Sequence, residues 1–204
     1  MRKLILTTAA VAAAIAGAVA GEPSFGTFTD NKDGQTYKTV KIGKQTWMAQ
    51  NINYQTESGS WCYKNSADSC KKYGRLYDWK TATTVCPKGW HLPDVYEWHD
   101  LVATAGGQET VGKKLKSKSG WNNLGDVKSG NGTDDYGFSA LPGGDRGGYG
   151  LAGYYGNWWS ATENGVDLFD DDVYGLGLGY RGEVDINLYR KSNGYSVRCV
   201  EDPP

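Results

Sequence analysis

The chain has 204 residues, with Gly 29, Trp 8 and Tyr 14 but only Phe 4, which describes a loop-rich, aromatic-rich chain long enough to bury one core. Its formal net charge is −1, and −3 once Arg2 and Lys3 are set aside. That balance argues against nucleic acid and anionic membrane surfaces as partners, since both reward a basic stripe.

Residues 1–20 read as a secretory signal peptide. Arg2 and Lys3 form the basic start, a small and apolar run follows, and Ala18-Val19-Ala20 is a small-x-small cleavage site. No later stretch is apolar for long enough to span a bilayer as a helix, so no membrane span is expected. Export to the periplasm, the cell surface or the medium is expected. Residues 21–32 then form a polar lead-in, and 33–202 read as one domain without repeats or linkers.

"QTYKTVKIGKQTWMAQN" predicts a hairpin. Tyr37 and Thr39 alternate with Lys38, Val40 and Ile42, and Gly43-Lys44 supplies a tight turn. Residues 53–74 read as a loop carrying Cys62 and Cys70. With Cys86 and Cys199 they make an even set of cysteines, a disulfide framework in an exported chain with three possible connectivities. The short spacing in "WCYKNSADSC" favours Cys62–Cys70, which leaves Cys86–Cys199. The second bridge closes a loop of more than 100 residues, worth about 4–5 kcal/mol in the chain-entropy model.

"RLYDWKTATTVC" places Leu76, Trp79, Ala82 or Thr83, and Cys86 on one helical stripe, with Asp78 as N-cap and Pro87 and Gly89 as the stop. "CPKGWHLPDVYEWHDL" crowds a cysteine, two histidines and several carboxylates together. Asp94 followed by Glu97 is close to a capping box, and Val95, Trp98, Leu101 and Val102 form the apolar stripe of a second helix. His99 and Asp100 point off that stripe, and His91 has no second histidine at metal-ligand spacing. The stretch reads as a structural corner rather than a catalytic constellation.

Residues 120–165 are irregular and rich in Gly, Asn, Asp and aromatics. Within them "NWWSAT" predicts a short strand with one Trp inward and one outward. Strands follow over 173–180, over "EVDINLY" with Val184, Ile186 and Leu188 on one face, and over "YSVRCVE" with Tyr195, Val197 and Cys199 on one face. With turns at Gly182 and Asn193-Gly194 they read as an antiparallel meander.

Five motifs in order, "DGQTYKTVKIGKQTWMAQN", "YDWKTATTVCPKGWHLPDVYEW", "GFSALPGG", "WWSAT" and "YSVRCV", resemble the Fibrobacter succinogenes major paralogous domain family. The resemblance implies an α+β, C-type-lectin-like fold related to that of formylglycine-generating enzymes. It implies little about activity, and fold alone carries no function.

The expected role is a non-catalytic binding module. Aromatic rings interleaved with Asp, Asn and Arg suit a glycan or an extracellular protein. The candidate surface is Asp145, Arg146, Tyr154, Tyr155, Trp158, Tyr174, Tyr180, Arg181, Asn187 and Tyr189. A structural or adhesive role in the cell envelope fits the same features. No catalytic residue is assigned. No nucleophile elbow, zincin motif or phosphate loop appears, and the cysteine pair used by the related oxidase has no counterpart. No cofactor is expected. Asp167, Asp170, Asp171 and Asp172 offer oxygen ligands that calcium accepts, but without the spacing of an EF-hand loop. They read as a solvated acidic turn.

Overall fold

The computed structural model describes residues 23–125, 129–147, 150–165 and 171–203. The predicted signal peptide lies outside them. Among the described residues, two sheets and four short α-helices make a mixed α+β architecture.

The first sheet has the order β1-β2-β3-β11-β6, from Ser24–Thr29, Thr36–Ile42, Gln45–Met48, Val200–Glu201 and Trp90–His91. The predicted hairpin is β2 and β3, and Gly43 at its turn has φ +61, where glycine carries no Cβ penalty. The lead-in supplies β1, which pairs with β2 along its whole length. It is exposed at almost every position, so it carries no alternating apolar pattern to read.

The second sheet has the order β4-β5-β10-β7-β8-β9, from Ser60–Trp61, Leu76–Tyr77, Tyr195–Ser196, Tyr155–Glu163, Asp172–Gly179 and Val184–Arg190. Here the expected meander is corrected. β7, β8 and β9 are consecutive antiparallel neighbours, but β10 returns to the far side of β7 and runs parallel to it. "YSVRCVE" is therefore two short strands in two different sheets.

Leu76 belongs to β5, and α2 (Trp79–Val85) starts one residue after its N-cap Asp78, whose carboxylate accepts from Thr81 N. α3 (Val95–Thr104) carries the capping box in full. Glu97 N donates to Asp94, and Asp94 N donates to Glu97. α1 (Ala67–Tyr73) and α4 (Val111–Leu115) have no readable stripe. α1 buries only Cys70, and α4 is barely more than a turn.

Trp158 and Trp159 point to opposite sides of β7, yet both are fully buried, so the expected outward Trp is corrected. The cause is that each side of β7 has its own core. Trp158 joins Val40, Trp47, Trp98, Phe138, Leu176 and Leu178 in one cluster. Trp159 joins Tyr37, Tyr77, Trp90, Tyr195, Val197 and Cys199 in the other. Both disulfides form, Cys62–Cys70 and Cys86–Cys199. The second ties the end of α2 to the residue before β11.

Candidate functional site

Strand register decides what the second sheet presents. In β8 the sequence Tyr-Gly-Leu-Gly-Leu-Gly alternates, so Leu176 and Leu178 enter the first cluster while Gly175, Gly177 and Gly179 line the opposite face. Those glycines pair with Trp159, Asn157 and Tyr155 on one side. Asn187 and Asp185 pair with Gly175 and Gly177 on the other. The upper half of this face is thus a floor of backbone between Tyr155 and Asn157 of β7 and Asp185, Asn187 and Tyr189 of β9.

Tyr189 leans across the floor. A Cβ on Gly177 would sit 2.7 Å from its hydroxyl and 3.3 Å from Asn157 Oδ1, so both polar tips converge over the glycine. Burial pushes the Tyr189 pKa up and the nearby Asp185 charge pushes the same way, which keeps the phenol a donor at neutral pH. Its ring closes the second cluster through an edge contact with Tyr195, 5.0 Å between centroids. Asp185 and Asn187 are exposed and joined by a bond from Asn187 Nδ2 to Asp185 Oδ2 of 3.1 Å. At the β8–β9 end, Tyr180 packs edge-on against Tyr154 and Tyr155, and Arg181 Nε donates to its hydroxyl. The bridge between Gly144 and Gly156 brings Asp145 alongside β7.

Below this face lies a buried polar hub. Arg198 is fully buried and donates to Asn51 Oδ1 through Nε and Nη2, and to the Phe138 carbonyl through Nη1. Its guanidinium stacks 4.3 Å from the Phe138 ring centroid. Burial pushes its pKa down and the Asp134 charge pulls it back, but it stays protonated at neutral pH. Asn51 also accepts from Trp158 Nε1 and donates to the Tyr73 carbonyl. Asn51, Phe138, Trp158 and Arg198 come from four of the motifs singled out in the sequence, and those motifs meet here.

The model of the Fibrobacter succinogenes major domain matches residues 40–201. The chain belongs to this family. No curated protein and no solved structure matches it.

In this major domain the motif residues hold the core, and the candidate ligand surface lies elsewhere. Of the residues predicted for that surface, the fold brings together Tyr154, Tyr155, Tyr180 and Arg181 at one end and Asn187 and Tyr189 along β9. Trp158 is a correction, since its ring is buried and its Nε1 is bonded to Asn51. Tyr174 is another, because alternation places it with Leu176 and Leu178 on the reverse face. Arg146 stacks on Trp61 at 3.6 Å and its backbone N–H bonds Gly194 O, so it serves the neighbouring loop. Asn157, Asp185 and the glycine floor were not among the predicted site residues, although the alternating glycines of β8 were the signal for them.

His91 sits between two carboxylates, with Nδ1 2.8 Å from Asp202 and Nε2 2.9 Å from Glu97. Burial pushes its pKa down, but the bonds and charges of Asp202 and Glu97 outweigh this and raise it above 6.5. The arrangement clips the tail after β11 to the start of α3. Among the described residues no group of three or more His, Cys, Asp and Glu is placed to hold a metal. Asp167 and Asp170 of the acidic turn lie outside the described residues. No helix among the described residues is long and apolar enough to cross a membrane.

Proposed function

We propose that this protein is an exported, non-catalytic binding module of C-type-lectin-like architecture, recognising a carbohydrate or a protein through the β7–β9 face. The observation that carries the reading is the glycine floor. Three alternating glycines carry no side chain of their own, so Tyr189 and Glu183 lie directly on the strand backbone and bring polar tips together between Asn157 and Asp185. An amide, a carboxylate and a phenol around such a floor bond the hydroxyls of a sugar or the backbone of an extended peptide. The Tyr154–Tyr155–Tyr180 cluster beside it adds rings that pack against apolar faces. The two disulfides belong to an oxidising compartment and support export.

The test is an array of plant cell-wall and bacterial glycans, probed with the oxidised protein and with an Asp185→Ala/Asn187→Ala variant, beside a pull-down from the cell envelope. Both substituted side chains are exposed, so the fold survives their loss. Binding by the wild type that the variant loses supports the reading. A variant that binds every ligand as tightly as the wild type contradicts it.

A further inference from the structure

The negative net charge of the chain conceals one basic groove, on a different surface from the glycine floor. Two cavities, of about 400 and 460 Å³, lie side by side and share Lys38, Ala49 and Ser139 in their walls. Together they form a continuous trough from β1 across β2 to the end of α1. Besides Lys71, whose Nζ pairs with Asp68 at 3.4 Å, the ammonium groups along it are three, Lys118 at one end, Lys38 at the junction and Lys72 at the other end, all exposed. None of the three has a carboxylate partner among the described residues. Asp134 is the single carboxylate in the walls, and both its oxygens are taken by Ser139 N and Oγ at 2.7 and 2.6 Å.

The rest of the lining adds aromatic and amide chemistry. Phe25 is 66% exposed on the edge strand, with its ring held over Gly137, where any Cβ would strike it. Tyr73 lines the opposite end, with Lys72 Nζ 4.8 Å from its ring centroid. Asn53 lines the same wall, with its carboxamide oxygen buried beneath the surface. A ring at each end and spaced cations describe a chain that is at once anionic and ring-bearing.

We infer that this trough binds an acidic polysaccharide, a sugar chain bearing carboxylates or sulfate esters. The ammonium groups take the anionic substituents, and Phe25 and Tyr73 pack on sugar faces. Because the whole protein is net negative, a polyanion is repelled everywhere except where such a local field focuses it. This site stands apart from the β7–β9 face, and each can fail without the other.

The experiment is affinity electrophoresis of the oxidised protein through gels containing polygalacturonate, dextran sulfate, neutral dextran or a single-stranded oligonucleotide. The wild type is expected to be retarded by one or both acidic polysaccharides and not by neutral dextran. Retardation by polygalacturonate alone assigns the carboxylate, by dextran sulfate alone the sulfate ester, and by both the charge they share. Lys38→Ala/Lys72→Ala/Lys118→Ala is expected to bind at least about tenfold more weakly, and wild-type binding to fade at about 0.5 M salt, because exposed charges are screened. Near-UV circular dichroism verifies that the triple variant is folded, and Asp185→Ala/Asn187→Ala is expected to keep full retardation. No retardation by either polyanion, equal retardation of wild type and triple variant, or retardation by the oligonucleotide alone overturns the assignment.

Discussion

The guanidinium of Arg198 and the carboxamide of Asn51 form the buried joint of the fold, with Nη2 and Nε of Arg198 at 2.7 and 3.1 Å from Asn51 Oδ1. Among the described residues no carboxylate bonds this cation. Its charge is met by the dipoles of Asn51 and the Phe138 carbonyl and by two aromatic faces. Asn51→Leu strands a buried guanidinium and the Trp158 indole N–H together, and is expected to cost about 3–5 kcal/mol. Arg198→Met/Asn51→Leu is expected to cost less than the two single changes combined, because one dry gap replaces two unsatisfied groups. Chemical denaturation of the four proteins reads the coupling, and strict additivity contradicts the joint.

The two disulfides are expected to contribute unequally. Cys86–Cys199 spans 113 residues and Cys62–Cys70 only 8. The chain-entropy model makes the long loop worth about 4–5 kcal/mol and the short one about 2–3. Paired Cys→Ser variants compared in urea check the order. A greater loss from the short loop would show that local packing of α1, rather than chain entropy, dominates.

Much of this architecture is legible in the sequence because it is local. Asp94 and Glu97 spell a capping box, Gly43 marks a hairpin turn, and the cysteine spacings match the bonds found. The illegible parts depend on partners distant in sequence. Nothing near Ser24–Thr29 announces a strand, since it exists by pairing with β2. Trp158 and Trp159 look like an inside-outside pair until one knows that β7 has a core on each side. For the same reason the sequence points to its conspicuous rings as the candidate surface. The recognisable motifs are buried around Arg198, whereas the candidate face is shaped by the side chains that Gly175, Gly177 and Gly179 lack, which let Tyr189 and Glu183 lie on the strand.

His91 makes stability depend on pH near neutrality. A neutral imidazole donates from one nitrogen only, so one of its two carboxylate contacts improves when the ring is protonated. Its pKa in the fold lies above 6.5, so the stabilisation is full below pH 6.5 and lost as pH rises through the raised value. The site is more than a third exposed, which limits the effect to less than about 1 kcal/mol. The stability gap between wild type and His91→Ala is expected to narrow between pH 6 and pH 8. A constant gap would mean that the ring contributes only packing.

Lys116 shows the opposite trend. It is buried, with Nζ bonding the carbonyls of Gly179 and Tyr180 and lying 4.4 Å from the Trp121 ring centroid. Burial lowers its pKa to about 8, against a smaller upward pull from Glu183. The buried ammonium is therefore a cost below pH 8, relieved as pH rises towards 10.5 while the unfolded chain still holds the proton. The neutral amine keeps donors for both carbonyls. Wild type is expected to gain stability relative to Lys116→Met from pH 8 to pH 10, and a flat difference over that range contradicts the assignment.

The central claim is that the polar groups gathered over the glycine floor bind a ligand, and Gly177→Val tests it most directly. The new Cβ would sit 2.7 Å from the Tyr189 hydroxyl, so the ring that packs on Tyr195 must shift and its convergence with Asn157 is lost. Denaturation and ligand titration should be run on one preparation, with whichever ligand the wild type selects from the array. The account expects a folded protein about 1–3 kcal/mol less stable than wild type, with binding weakened at least tenfold. Undiminished binding by a folded Gly177→Val protein would show that the face is only a cover for the core beneath it.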